Sequence, residues 1–114
     1  MKILLVDDKV KRRKEIGKIL KAQGYQVVCA TNGSTAWSQL RLHWVTLVLT
    51  DTKMPEMTGP ELAAKISLMR NKQPAVIGMS NREESRQLYQ YFWNKNAPVE
   101  ELLKLIKKLT AKSP

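Results

Sequence analysis

The chain has 114 residues, enough for one domain with a real core, and its 43% apolar and 26% charged residues exclude global disorder. No apolar run approaches the ~18 residues of a membrane span, Met1-Lys2 leads into an apolar run too short for a signal peptide, and the lone Cys29 excludes an intramolecular disulfide. Twenty Lys+Arg against ten Asp+Glu leave a net charge of +10, which favours acidic partners without naming one.

These features predict a single cytoplasmic domain over residues 1–114 with no membrane association. In chain order, the continuous apolar run Ile3-Leu4-Leu5-Val6 reads as a strand buried on both faces. Residues 9–23 read as a helix with Ile16, Ile19 and Leu20 on one face and Gly24 as its stop. Tyr25-Gln26-Val27-Val28-Cys29 forms the second strand and residues 34–43, with Ala36 and Leu40, the second helix. Thr46-Leu47-Val48-Leu49-Thr50 forms the third strand. Residues 59–70 carry Leu62, Ile66 and Met69 at helical spacing behind the capping-box pattern Thr58-Gly59-Pro60-Glu61. Ala75-Val76-Ile77-Gly78-Met79 is the fourth strand and Tyr91-Phe92-Trp93 a weaker fifth. Residues 98–111 form the last helix, with Leu102, Leu105, Ile106 and Leu109 inward, Pro98 near the start and lysines toward the end. The alternation predicts an α/β fold, one parallel sheet with helices on both faces.

In such a sheet, ligands bind beyond the carboxyl ends of the strands. There the sequence places Asp7-Asp8, Asp51, Ser80 and Lys95. Taken singly each is bland. Asp7-Asp8 reads first as a helix N-cap, Ser80-Asn81-Arg82-Glu83 as a capping box, and Asp51 as a turn residue. Jointly they bring three carboxylates, a hydroxyl and an ammonium to one edge. Converging carboxylates need a compensating cation, and an oxygen-only ligand set suits Mg²⁺. A carboxylate beside that ion can act as a nucleophile toward phosphorus. Ser80 and Lys95 would then meet the phosphoryl oxygens.

Leu4-Leu5-Val6-Asp7-Asp8, Gly24-Tyr25-Gln26-Val27, Ala30-Thr31-Asn32-Gly33, Asp51-Thr52-Lys53-Met54-Pro55-Glu56-Met57-Thr58-Gly59, Ser80 and Lys95 together resemble the receiver domain of two-component response regulators, of the chemotaxis-regulator kind. The resemblance spans essentially the whole chain. It implies a flavodoxin-like (βα)5 sandwich with strand order 2-1-3-4-5. It also implies that Asp51 takes a phosphoryl group from the phosphohistidine of a histidine kinase or histidine phosphotransfer protein. Asp8, Asp51 and the Lys53 carbonyl would ligate Mg²⁺, with Asp7 assisting through water. Ser80 and Phe92 would be the switch residues. By the same resemblance the domain is a regulatory phosphoacceptor rather than an enzyme, catalysing only its own phosphorylation and slow hydrolysis.

The chain departs from that family between Ser80 and Lys95. Only about ten residues (81–90) connect the fourth and fifth strands, short for a parallel crossover. A fourth helix of one or two turns at about 82–89, or an irregular segment, is predicted, with a remodelled output surface. Asn96 follows Lys95 where the family has Pro, so a trans peptide is expected. Lys53 and Arg82 flank the site and would steer phosphodonors. The cationic first helix reads as a solvated face or as a dock for an acidic phosphotransfer partner. It lacks the aromatics of a base-stacking surface, so nucleic-acid binding is disfavoured. His43 has no second ligand nearby and reads as structural. One of Phe92 and Trp93 is expected to face outward, an exposed Trp93 being a candidate partner anchor. The rival reading is a pseudo-receiver, a protein-binding module of the same fold that never carries phosphate. Ser113-Pro114 closely follow the last helix, leaving room for an effector domain or a separate output protein.

Overall fold

The computed structural model describes residues 1–111; Ser113 and Pro114 lie outside them. Five parallel strands, β1 (Lys2–Val6), β2 (Gln26–Ala30), β3 (Leu47–Asp51), β4 (Ala75–Ser80) and β5 (Tyr91–Asn94), form one sheet in the order β2-β1-β3-β4-β5. Helices α1 (Val10–Ala22), α2 (Gly33–Leu42), α3 (Gly59–Ser67) and α4 (Val99–Thr110) cover its faces. This is the flavodoxin-like architecture expected. Among the described residues no helix is long and apolar enough to cross a membrane.

The pleat explains the continuous apolar runs. Along β1, Ile3 and Leu5 enter a core with Ile16 and Leu20 of α1 and Leu102 and Ile106 of α4. Leu4 and Val6 enter the opposite core with Ala36 of α2 and Leu62 and Ile66 of α3. Alternate side chains are buried on opposite sides, so no position from Ile3 to Val6 is polar.

Local chemistry sets the helix ends. Thr58 Oγ1 accepts from the Glu61 amide while Glu61 Oε1 accepts from the Thr58 amide, completing the predicted capping box of α3. Asn32 caps α2 by accepting from the Thr35 amide. Gly24, at φ +94°, turns the chain out of α1. The end of α3 falls at Ser67 rather than at residue 70.

Two expectations change at the fifth strand. The segment before it is a 3₁₀ turn, Glu83–Leu88, rather than an α-helix. A 3₁₀ segment rises ~2.0 Å per residue against ~1.5 Å for an α-helix. Six residues thus span about 12 Å instead of about 9 Å, which suits so short a crossover. Trp93 is buried, not exposed, so it is no partner anchor. It packs on the α1–α4 side and its Nε1 donates to the Pro98 carbonyl, at 3.2 Å. Phe92 is buried on the other face, stacked against Tyr89 beneath the Arg86 guanidinium. The 3₁₀ segment covers the face that an edge strand would otherwise leave open.

Candidate functional site

The sheet delivers its polar residues to one edge because three strands end in register there. The Asp7 amide donates to the Ala30 carbonyl, carrying the β1–β2 ladder one residue past Val6. Asp51 is the last residue of β3 and pairs with Met79 beside Ser80, the last of β4. The Lys95 amide donates to the Ser80 carbonyl, placing Lys95 one step beyond β5.

Asp7, Asp8 and Asp51 each bring a carboxylate oxygen into one cluster, all within 4.8 Å of one another. Asp7 is fully buried and its Oδ1 accepts from the Lys9 amide at 2.9 Å. That bond ties the loop rather than capping α1, whose N-cap is Lys9. Burial pushes the Asp7 carboxyl above its ordinary range, the Asp51 charge adds to the rise, and the Lys9 amide opposes it. Asp51 Oδ1 accepts from Lys95 Nζ at 2.7 Å and from the Thr52 amide at 3.0 Å. Arg12, reaching over from α1, places Nη1 3.7 Å from Asp7 Oδ2 and 4.0 Å from Asp51 Oδ2. Arg13 donates to the Asp7 carbonyl at 2.8 Å. Three carboxylates face two cations, leaving one formal negative charge.

The donor set fits a divalent cation. Asp7 Oδ2 and Asp8 Oδ1 are buried and accept no hydrogen bond. Buried carboxylate oxygens of that kind cost free energy unless a charge satisfies them, and oxygen-only sites suit Mg²⁺.

Asp8 and Asp51 open onto a cleft of about 500 Å³ lined also by Ser80, Lys95, Lys53 and Arg82. Lys53 and Arg82 are exposed on its rim, as expected. Ser80 is buried; its Oγ accepts from the Arg82 amide at 3.0 Å and lies 3.3 Å from Ser85 Oγ. It therefore makes no capping box, the 3₁₀ turn having Arg82 as its N-cap with no side-chain bond. The peptide after Lys95 is trans, since the described residues contain no cis bond. Phe92 sits behind the site rather than in the cleft.

Three residues escape the sequence reading. Arg12 is one of six cations in α1, and only its direction of projection singles it out. Thr52 Oγ1 donates to the Met79 carbonyl and is met by the Tyr89 hydroxyl, both at 2.9 Å. Tyr89 lies across Gly78, where any Cβ would overlap its ring, and against Gly59. The two glycines are the sole trace of Tyr89 in the sequence, and neither points to it without the fold.

Residues 3–108 match the family model for the response regulator receiver domain. The chain belongs to that family. Its receiver domain is 35% identical over 79 residues to the response regulator RppA of Synechocystis, a match covering 68% of this chain and 34% of that protein. It is 43% identical over 68 residues to the chemotaxis protein CheY1 of Helicobacter pylori, covering 58% of this chain and 55% of that protein. The chain thus spans about a third to a half of these curated relatives. Among solved structures, the response regulator TrrA of Thermotoga maritima in complex with Mg²⁺-BeF superimposes with a TM-score of 0.86 at 26% identity, covering 95% of this chain and 97% of that one.

Proposed function

We propose that this receiver domain, acting as a single unit in the cytoplasm, is the phosphoryl-accepting switch of a two-component phosphorelay, with Asp51 as acceptor. The observation that carries the reading is the convergence of Asp7, Asp8 and Asp51 within 4.8 Å, with Lys95 on Asp51. In this reading an Asp51 carboxylate oxygen attacks the phosphorus of a phosphohistidine on a histidine kinase or phosphotransfer protein. The P–N bond breaks, the imidazole leaves with the electron pair, and an acyl phosphate forms on Asp51. Asp8, Asp51 and the Lys53 carbonyl would hold Mg²⁺, with Asp7 beside them, and the ion would neutralise charge on the phosphoryl oxygens. Lys95 and the Ser80 hydroxyl would take the phosphoryl oxygens. Ser80 Oγ accepts from the Arg82 amide and from Ser85, so drawing it toward the phosphoryl group would exchange those contacts with the 3₁₀ segment. That exchange couples the acceptor to the segment above Phe92, and the output is a shift in its population.

The role is regulatory rather than enzymatic, and an output protein or an effector domain would read it. The test is labelling with phosphoramidate, a small P–N donor. Mg²⁺-dependent, hydroxylamine-labile phosphate that is lost in Asp51→Asn supports the reading. No label on the parent leaves the pseudo-receiver.

A further inference from the structure

The positive charge of the chain is unevenly placed. Residues 16–50 and 62–82 contain no acid at all. The two stretches meet where α2 packs on α3, forming a groove of about 670 Å³. Its apolar lining is Trp37, Leu40, Leu68 and Met69; Arg41, Lys65 and Arg70 rim it. Leu68 is 80% exposed; Leu42, the last residue of α2, is 78% exposed, and Trp44, just beyond it, is 54% exposed. Lys65 Nζ sits 5.0 Å from the centre of the Trp37 ring and Lys72 Nζ 5.8 Å from that of Trp44. Among the described residues none of these four cations forms an ion pair. An apolar strip rimmed by cations of one sign is an unpaired half of an interface.

α2 ends before β3 begins and α3 ends before β4 begins, so the groove opens toward the amino-terminal edge of the sheet. Asp7, Asp51 and Ser80 lie at the opposite edge. An occupant there would leave the acceptor cleft free.

We propose that the α2–α3 groove docks an acidic amphipathic helix of a partner protein, with apolar residues on Leu68, Trp37 and Leu40 and carboxylates on Arg41, Lys65 and Arg70. Charge complementarity selects the acid, and a cleft between two helices admits a helical occupant. Nucleic acid fits less well. Exposed leucines offer a phosphate backbone nothing, and each tryptophan already holds a lysine over one ring face. A second copy fits less well still. It carries the same +10 charge, and its most acidic helix start, Glu100-Glu101, is followed by Lys104, Lys107 and Lys108.

The probe is a labelled synthetic helix with leucines on one face and glutamates on the other, tested beside a lysine-for-glutamate twin and single-stranded oligothymidylate. Anisotropy and tryptophan emission report binding to the full chain. The glutamate helix should bind saturably. Lys65→Glu/Arg70→Glu should weaken it by about tenfold or more and turn preference toward the lysine twin, and Leu68→Ser should weaken it with charge unchanged. Equal binding of the two helices would overturn the proposal. So would loss of binding in Lys14→Glu/Lys18→Glu instead, or tighter binding of the oligonucleotide through the same residues. Phosphoramidate labelling of Lys65→Glu/Arg70→Glu should match the parent. The docking result therefore stands or falls apart from the acceptor reading.

Discussion

Lys95 Nζ lies 2.7 Å from Asp51 Oδ1, and both side chains are largely withdrawn from solvent. The bond closes the acidic cluster across two strand ends, from the residue after β5 to the last residue of β3. Removing the ammonium strands a buried carboxylate among two others. Lys95→Met should lower the stability of the metal-free protein by about 3 kcal/mol, the low end for breaking a buried pair, since Arg12 remains nearby. Saturating Mg²⁺ should recover part of that loss by replacing the missing charge. Urea denaturation with and without Mg²⁺ measures both; an identical loss in the two conditions contradicts the assignment.

Arg12 approaches the same carboxylates from α1 without a hydrogen bond, at 3.7 and 4.0 Å. It is a like charge beside the place a divalent ion would occupy. Arg12→Ala should tighten Mg²⁺ binding by about tenfold, or 1.4 kcal/mol. Calorimetric titration checks this. Weaker binding in the variant would make Arg12 a supporter of the site rather than a competitor.

The end of β3 is tied to the 3₁₀ segment through Thr52 and Tyr89. Thr52 spends its proton on the Met79 carbonyl, so the Tyr89 phenol is the donor to Thr52. Gly78→Ala should cost about 1–3 kcal/mol, because the new methyl overlaps the Tyr89 ring. In a Tyr89→Ala background the same change should cost little. Additive effects in the double-mutant cycle would mean that the two residues do not touch.

The Tyr89 hydroxyl is pushed up to about 12, chiefly by burial; the Thr52 hydroxyl, which can turn to donate to the phenolate, opposes the rise, and the Asp51 charge adds to it. An unfolded tyrosine ionises near 10. The folded state therefore holds the proton more tightly. Its contribution is fully present below pH 10 and is lost as the pH rises from about 10 to about 12. Stability across that window should fall more steeply in the parent than in Tyr89→Phe. Parallel denaturation curves for the two proteins would contradict it.

How far the sequence reached follows from what each signal depends on. Ile3-Leu4-Leu5-Val6 and its counterparts are apolar because both faces of the sheet are covered, so strand number and class were readable from the runs alone. Asp7, Asp8, Asp51, Ser80 and Lys95 were readable because strand ends map onto one edge in any parallel sheet. The expectation that one of Phe92 and Trp93 faces outward failed because edge position suggested exposure, whereas α4 and the 3₁₀ turn close both sides of β5. Arg12 and Tyr89 stayed hidden because their importance lies in direction. One α1 cation among six reaches the carboxylates, and one tyrosine folds back over glycines that stand eleven and thirty residues earlier. The groove between α2 and α3 was equally silent, since Trp37 and Leu68 meet only in the folded chain.

The central claim is that Asp51 accepts phosphate. Intact-mass spectrometry of the parent and of Asp51→Asn, after incubation with a small phosphodonor with and without Mg²⁺, tests it most directly. The account predicts a single added phosphoryl group on the parent with Mg²⁺ present, and none on the variant or without the ion. A parent mass unchanged under every condition, or an equal gain on Asp51→Asn, would contradict it.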